Sequence, residues 1–468
     1  MKNITIENIV KVCEGRLYFP GEDSLNQEAS SVVIDSRQVT KNSIFIAVRG
    51  ERVDGHSFIS EVFQKKALAV ICQQLPPEAE GPCILVEDTL KALRLLAGFY
   101  RRSLNICVIG ITGSVGKTST KEFIAGVLSA RYRVWKTLGN FNNEIGLPLT
   151  ILGIREHHEL AVLEMGISDF GEMHRLSEIA APDYCVLTNI GQCHLENLKD
   201  RDGVLKAKSE IFDYLNPEGR IYINGDDDKL ITLKEKWKDR LVTFGRGKDN
   251  DLRVENEVSG GLLGTVCDIT GKIQIDKVKI GIPGEHMVLN ALAATAVALE
   301  LGLNREEILI GMTKVERVSG RSNVVVLDEC LMIDDCYNAN PVSMKAAIDL
   351  LQWSKGRRIA ILGDMFELGD KEEELHYGIG VYAADKVDVL ICIGSLSRQL
   401  YCGALEHKRE GMKIHYLETK EGLYEYIKKI KQPQDTFLIK ASHGMGFSEI
   451  VSEMEKLFPP KITARDLY

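Results

Sequence analysis

The residues best suited to chemistry begin at Ile106, where the chain reads Ile106-Cys-Val-Ile-Gly110-Ile-Thr-Gly113-Ser-Val-Gly116-Lys117-Thr118-Ser119. An apolar strand runs into a glycine-rich loop, and Phe123, Ile124, Val127 and Leu128 then recur at helical spacing. Glycines let successive backbone N–H groups close around phosphate oxygens, and a helix N-terminus adds positive potential at the same place. Lys117 is placed to reach the β- and γ-phosphates, and Thr118 offers a hydroxyl to Mg²⁺. Gly113, Ser114, Val115, Gly116 and Ser119 complete the cradle. One departure stands out: Ile111 occupies the place where the general phosphate-loop pattern has glycine, with Gly110 one position earlier. The strand–loop–helix context implies binding of ATP or GTP, which does not by itself choose a reaction.

Further reactive groups follow. Glu164 ends the apolar run Leu160-Ala-Val-Leu-Glu164, and a carboxylate at the C-terminal end of a parallel strand faces the ligand crevice of such sheets. A buried carboxylate needs a partner, and a metal ion is one; a solvent-facing acid on a loop is the plainer alternative. His194 follows the next strand and is read either as a structural hydrogen-bonder or as a metal ligand. In Val204–Leu215, Lys208 falls on the apolar stripe of Val204, Leu205, Ile211, Phe212 and Leu215, whereas Lys206 and Glu210 do not. A lysine there either snorkels to water or holds a neutral amine able to take up CO₂ as a carbamate, turning a cation into a metal-binding anion. The amides of Asn142 and Asn143, between Gly139 and Gly146, suit polar ligand groups or a plain Asx loop. Arg321 follows Ser319-Gly320, and Asp334-Asp335-Cys-Tyr-Asn338-Ala-Asn340-Pro341 follows a strand and ends in turn chemistry.

The elements that must position these groups are those of an ordinary globular protein. Its 468 residues suggest about three domains. Apolar residues make up 44% and charged residues 27%, which excludes a disordered chain. The net charge of −9, with no dominant basic block, argues against a nucleic-acid surface but leaves room for a local anion site. Eleven cysteines, scattered without a C-x-x-C pair, read as buried free thiols of a reducing cytoplasm. The N-terminal stretch carries Glu7 and Glu14 and lacks the apolar core of a signal peptide, and Met287–Leu303 reads as a buried helix, not a membrane span.

Three blocks emerge. Residues 1–103 hold a strand at Ser43–Val48, the polar run Arg49–His56, a helix at Phe58–Lys66 and a strand at Ala67–Cys72. Residues 104–318 open on the phosphate cradle and alternate strand and helix, with strands at Leu160–Glu164, Tyr184–Thr188 and Arg220–Ile223. Uninterrupted apolar strands of this kind imply a parallel sheet covered on both faces. Residues 241–282 differ, with Ser259-Gly-Gly261 and Thr270-Gly-Lys272 marking antiparallel hairpins at an edge of that domain. Residues 319–468 restart the alternation, with strands at Val324–Leu327, Leu331–Asp334, Arg358–Leu362, Val387–Ile393 and Thr436–Ile439. A helix around Glu418–Lys431 separates the last two. The fold class is α/β throughout: a small first domain, a central P-loop domain with an antiparallel extension, and a doubly wound, Rossmann-like third domain.

Taken in order, these motifs resemble the Mur ligases, the ATP-dependent amide-forming enzymes of peptidoglycan precursor synthesis, over nearly the whole chain. The marks are Gly110–Thr118, Gly139–Asn143, His194-Leu-Glu196, Asp335-Cys-Tyr-Asn-Ala-Asn-Pro341 and Gly363-Asp-Met-Phe-Glu-Leu-Gly369. The last two point to the branch that adds D-alanyl-D-alanine. The Asp-Asn-Pro-Arg loop usual in the meso-diaminopimelate-adding branch does not occur. The resemblance implies that the first block binds the uridine nucleotide of UDP-MurNAc-tripeptide, with Asp35, Ser36, Arg37, Asp54, Gly55 and His56 at matching positions. It implies ATP in the central block, with Asn290, Arg321, Asp335 and Asn338 beside the cradle, and Mg²⁺ as two ions. The metal ligands it implies are Thr118, Glu164, His194 and Lys208 as its carbamate. Lys117, Lys208, His194 and Arg321 are then the catalytic set. Two positions depart from the family: Met287 replaces the usual Asn in Gly284-Glu-His-Met-Val-Leu-Asn290, and His443 stands where Lys-Gly-Ser-Arg has its arginine.

The reaction implied is phosphorylation of the tripeptide carboxylate by ATP, followed by attack of the D-Ala-D-Ala amine on the acyl phosphate. Water would be excluded by domain closure. The expected enzyme is cytoplasmic and monomeric, with no nucleic-acid partner and no membrane span. Another Mur ligase, a folylpolyglutamate-synthase-like ligase and a P-loop kinase or ATPase are the alternatives.

Overall fold

The computed structural model describes residues 1–19, 25–50, 53–78 and 80–459. Glu51 and Arg52 of the polar run before His56, and the end of the third block from residue 460, lie outside the described residues. The fold is α/β with three sheets, and the chain divides into two compact units. No helix among the described residues is long and apolar enough to cross a membrane.

One unit comprises residues 1–112, 131–186 and 207–221. Its N-terminal sheet has five strands in the order Arg16–Tyr18, Cys83–Leu85, Ala69–Cys72, Ser43–Ile46, Ser31–Val33. All neighbours are parallel except the short first strand, which pairs antiparallel at the edge. Phe45, Val70, Cys72 and Cys83 point into a core closed by Ile59 and Val62 of the helix Ile59–Gln64. The helix Thr89–Ser103 starts where the Asp88 carboxylate accepts from Leu90 N and Lys91 N, at 2.7 and 3.1 Å. Near its end Arg101 is buried, donating to the carbonyls of Ala180 and Ala181 and to Asp183. Arg101 is thus a packing element, not a solvated charge. In the same unit Cys107–Thr112 runs parallel to Leu160–Glu164, with Ile111 opposite Glu164, and Val134–Lys136 pairs on the far side of Leu160–Glu164. This register sets the Glu164 carboxylate level with the end of the strand that feeds the glycine loop.

The other unit comprises residues 113–130, 187–206 and 222–468. The helix Lys117–Leu128 packs along the buried helix His286–Glu300, as the apolar run there predicts. Leu252–Ser259, Thr265–Gly271 and Ile275–Ile280 form the expected antiparallel meander, while Leu241–Gly245 joins it in parallel. Gly264, at φ 98°, makes the tight turn; a Cβ there would meet the Ile280 carbonyl at 1.9 Å.

The six-stranded sheet of this unit runs Asn323–Val326, Leu331–Asp334, Thr436–Lys440, Arg358–Gly363, Val389–Ile393, Lys413–Leu417, with only the first strand antiparallel. Apolar cores cover both faces, as a doubly wound sheet requires. Between Val389–Ile393 and Thr436–Lys440 the chain makes helix Ser397–His407, strand Lys413–Leu417 and helix Leu423–Ile430, not the single helix expected. Lys413-Ile-His-Tyr-Leu417 is half-exposed at the sheet edge, so it lacks the continuous apolar signature of the interior strands. Helix Pro341–Leu350 begins with proline in its first turn and a reciprocal cap: Asn340 Oδ1 accepts from Ser343 N at 2.9 Å, and Asn340 N donates to Ser343 Oγ at 3.1 Å. The Asn-Pro pair thus does serve as a helix start. Asn340→Ala is expected to cost about 1 kcal/mol of stability, seen as a lower urea midpoint at unchanged slope.

Candidate functional site

The glycine loop is shaped by what it cannot accommodate. Gly113 sits at φ 149°, and a Cβ on it would lie 1.9 Å from Thr188 Oγ1. Gly116, at φ 84°, turns the chain into the helix Lys117–Leu128. The segment 188–191 then ties the loop down. Thr188 Oγ1 and Asn189 Nδ2 both donate to the Val115 carbonyl, at 2.6 and 3.0 Å. Asn189 returns its side-chain oxygen to Val115 N and its carbonyl to Ser114 N, and Gly191 N donates to Ser114 Oγ. Lys117 folds back on the loop, donating to the Gly113 and Ser114 carbonyls at 2.8 and 3.4 Å. Thr188 and Asn189 carry no motif signal of their own, and the sequence reading passed over them.

A cavity of about 130 Å³ lies beside this loop. Val115, Gly116, Thr118, Ser119, Asn290, Arg321 and Asp335 line it, joined by His286 and Lys440. Gly113, Ser114, Lys117 and Asn338 are not among its lining residues. Arg321 spans the space: its Nη2 donates to Thr118 Oγ1 at 3.4 Å, and its guanidinium stacks 3.9 Å from the Tyr337 ring. Its Nε is buried without a hydrogen-bond partner. The turn carrying Arg321 is gripped by two buried acids. Asp334 accepts from Gly320 N and Ser319 Oγ, and Asp335 accepts from Ser322 N. Lys440 neutralises Asp335 at 2.7 Å and also donates to the Asn338 carbonyl. Asn290 spends its amide locally, accepting from Thr120 Oγ1 at 2.9 Å and donating to Met287 Sδ at 3.4 Å. The thioether that departs from the family pattern therefore substitutes as a weak acceptor.

In the unit holding Glu164, that carboxylate is only 1% exposed. One oxygen accepts from Asn142 Nδ2 at 2.8 Å; the other is buried with no hydrogen-bond partner among the described residues. Asn143 turns inward on its own loop, accepting from Ile145 N and Gly146 N. Lys208, in the same unit, is fully buried down to its Nζ. The amine does not snorkel, and that alternative is corrected: the side chain ends inside the fold because the helix face carrying it is buried at Val204 and Ala207, while Lys206 is exposed. In the N-terminal sheet's loops, Asp35 caps a short turn and pairs with Arg37 at 2.7 Å, and the arginine beside it holds its carboxyl down at about 2. Asp54 accepts from His56 N and lies 2.7 Å from His56 Nδ1, which pulls its carboxyl to about 2 as well. His56 Nε2 accepts from Gln73 N, so its ring is fixed in one tautomer. Ser36 and Gly55 are buried in these turns.

His194, in the unit of the glycine loop, occupies left-handed backbone at φ 52°. Its Nδ1 lies 2.5 Å from Glu367 Oε2, a charge contact without hydrogen-bond alignment. The histidine beside it draws the Glu367 carboxyl below its ordinary range. Among the described residues, no cluster of three His, Cys, Asp or Glu side chains forms a ready-made metal cage.

Known proteins match this geometry from end to end. The Mur ligase middle domain matches residues 111–298, the Mur ligase glutamate ligase domain residues 320–443, and the Mur ligase family catalytic domain residues 28–101. The UDP-N-acetylmuramoyl-tripeptide–D-alanyl-D-alanine ligase of Bacillus subtilis is 40% identical over 96% of this chain and 98% of its own length. The chain belongs to the Mur ligase family.

Solved Mur ligases share the architecture. The crystal structure of MurF from Acinetobacter baumannii superposes with a TM-score of 0.86 at 30% identity, covering 97% of this chain and 98% of that one. MurF ligase from Thermotoga maritima, solved in complex with ADP, gives 0.78 at 28% identity, covering 91% and 97%. In this Mur ligase the segment 188–191 holds the phosphate loop through side chains that can be removed one at a time. Asn189→Ala deletes two hydrogen bonds to Val115 and is expected to weaken ATP binding about thirtyfold, each bond being worth ~1 kcal/mol. Titration calorimetry checks this; unchanged affinity would mean that the glycines alone shape the loop.

Proposed function

We propose that this chain is the ATP-dependent ligase that joins D-alanyl-D-alanine to UDP-MurNAc-tripeptide, giving UDP-MurNAc-pentapeptide. The observation that carries the reading is the 40% identity to a ligase named for that reaction, running over 96% of the chain. Residues 1–103 would take the uridine nucleotide, 104–318 the ATP, and 319–468 the ligase role.

A carboxylate acylates poorly because oxide would have to leave. Transfer of the γ-phosphoryl group from ATP to it makes an acyl phosphate and releases ADP; the amine of D-Ala-D-Ala then attacks the acyl carbon, losing a proton and expelling inorganic phosphate. Two anions must approach for the first step, so positive charge at the phosphate is the main requirement. Lys117 would exchange the Gly113 and Ser114 carbonyls for phosphate oxygens. Arg321, already stacked on Tyr337 and bonded to Thr118, carries an unsatisfied buried Nε that a phosphate oxygen could accept from. Val115, Gly116, Ser119, Asn290 and Asp335 would shape the nucleotide site, with Gly113, Ser114 and Asn338 supporting from behind. Asp35, Ser36, Arg37, Asp54, Gly55 and His56, with Asn142 and Asn143, would contact the UDP-tripeptide.

The residues also suit a divalent cation. Glu164 has a buried carboxylate oxygen without a partner, a costly arrangement that a metal relieves. Thr118, Glu164, His194 and a carbamylated Lys208 would hold Mg²⁺, whose chemistry here is neutralisation of phosphate charge. Carbamate formation at Lys208 would join the carbon of CO₂ to Nζ with loss of a proton, inside the fold where the side chain ends.

The decisive assay supplies ATP, D-Ala-D-Ala and UDP-tripeptides with lysine or diaminopimelate at position three. A pentapeptide product by mass spectrometry, with ADP release that requires the amine, is expected. ADP release indifferent to the amine, with no amide product, would overturn the reading in favour of a P-loop kinase or ATPase. Lys208→Ala should lower the rate on the order of 100-fold, the size of removing one transition-state charge stabiliser. Full activity of that variant in bicarbonate-depleted buffer would defeat the carbamate.

A further inference from the structure

The motif Gly363-Asp-Met-Phe-Glu-Leu-Gly369 has so far no task, yet it is built with care. Glu367 holds left-handed backbone at φ 63°, and the residue it faces, His194, does so at φ 52°. For side chains other than glycine this region is unfavourable and persists only where the surroundings impose it. Here they do. Met365 N donates to the buried His376 Nε2 at 2.8 Å, and Phe366 N to Ser442 Oγ at 2.8 Å. Asp364 accepts from Ser397 N and Oγ, both at 2.7 Å, and its carbonyl accepts from Ser442 N. Gly369, at φ 61°, takes the left-handed backbone that favours glycine and lies beside the turn after His194. Three elements therefore fix a loop whose one charged side chain between Met365 and Gly369 lies 2.5 Å from the histidine.

A carboxylate beside Nδ1 keeps the ring proton on that nitrogen and leaves the lone pair on Nε2. We propose that Glu367 is a positioning residue: it fixes the tautomer and the ring orientation of His194 so that Nε2 is presented to a divalent cation. The inference rests on the reading of His194 as a metal ligand. It gives the motif a role in the reaction without contact to substrate, and it explains why left-handed backbone is held at both ends of one side-chain contact.

The test uses the full chain with ATP, and Mn²⁺ as the probe ion, titrated by electron paramagnetic resonance. Alongside it run the Mg²⁺ concentration for half-maximal activity and the urea midpoint. Glu367→Ala is expected to weaken Mn²⁺ binding and raise the Mg²⁺ requirement by about 10–100-fold, the usual effect of losing a partner behind a ligating histidine. Glu367→Gln, which keeps an acceptor oxygen, should recover part of that loss. In His194→Ala the further change Glu367→Ala should add nothing. If His194→Ala weakens Mn²⁺ binding but Glu367→Ala does not, the inference fails and the ligand reading stands. If His194→Ala itself leaves Mn²⁺ binding unchanged, the ligand reading fails first. If the Gln and Ala variants lose binding equally and the urea midpoint falls with it, Glu367 only braces the loop, and the inference is overturned.

Discussion

A loop that is to offer its N–H groups to an anion must be held in place by something other than the anion. In this chain that task falls to the segment 188–191, which grips the Val115 carbonyl with two side chains and the Ser114 hydroxyl with a backbone amide. The first-turn N–H groups of the helix Lys117–Leu128 have no intrahelical acceptor and remain the natural partners of phosphate. Gly113 is the steric hinge of the arrangement, since Thr188 occupies the volume that any side chain there would need. The order of causes runs from a missing Cβ, to a hydroxyl that can approach, to a carbonyl held still, to a preformed anion site. Such preorganisation is what lets a binding site act on charge without spending interaction energy to assemble itself.

Around this loop lies an unusual concentration of buried charge. Asp334, Asp335 and Lys440 are each less than a tenth exposed, and all converge on the turn 319–322 that carries Arg321. Buried ion pairs contribute little net stability against apolar replacements of the same shape, but breaking one side is costly. Their value here is directional. Each of the two carboxylates accepts from a particular backbone N–H of the turn, so the turn takes one conformation, including the left-handed Gly320 and Ser322. Arg321 inherits that conformation and is delivered to Thr118 and Tyr337.

Features that depend on local pattern were legible from the sequence. The glycine loop, the strand Leu160–Glu164, the buried helix after Gly284 and the antiparallel meander follow from periodicity and turn chemistry, and Lys208 sits on the face its stripe assigns. What pairs across distance was not. Thr188 and Asn189 act on residues more than 70 positions earlier, and Glu367 reaches back to a histidine in the preceding block. The edge strand Lys413–Leu417 was hidden because one side of it meets water, and Arg101 because a charged pair reads as surface until its carbonyl partners are seen. The burial of the Lys208 amine, too, needed the fold: spacing gives the face of a helix but not the depth at which a long side chain ends.

The resting position of Lys117 has a thermodynamic corollary. Its ammonium is already coordinated by the Gly113 and Ser114 carbonyls, two neutral dipoles of the loop itself. On the proposed reading, arrival of a triphosphate would be an exchange of acceptors around this cation, not the capture of a bare charge. The swap would profit only from the excess of an anionic oxygen over a carbonyl, which is smallest for weakly charged guests such as bicarbonate or a lone peptide carboxylate and grows with each added phosphate. A folded-back lysine would then set a threshold that discounts small anions and passes polyanions.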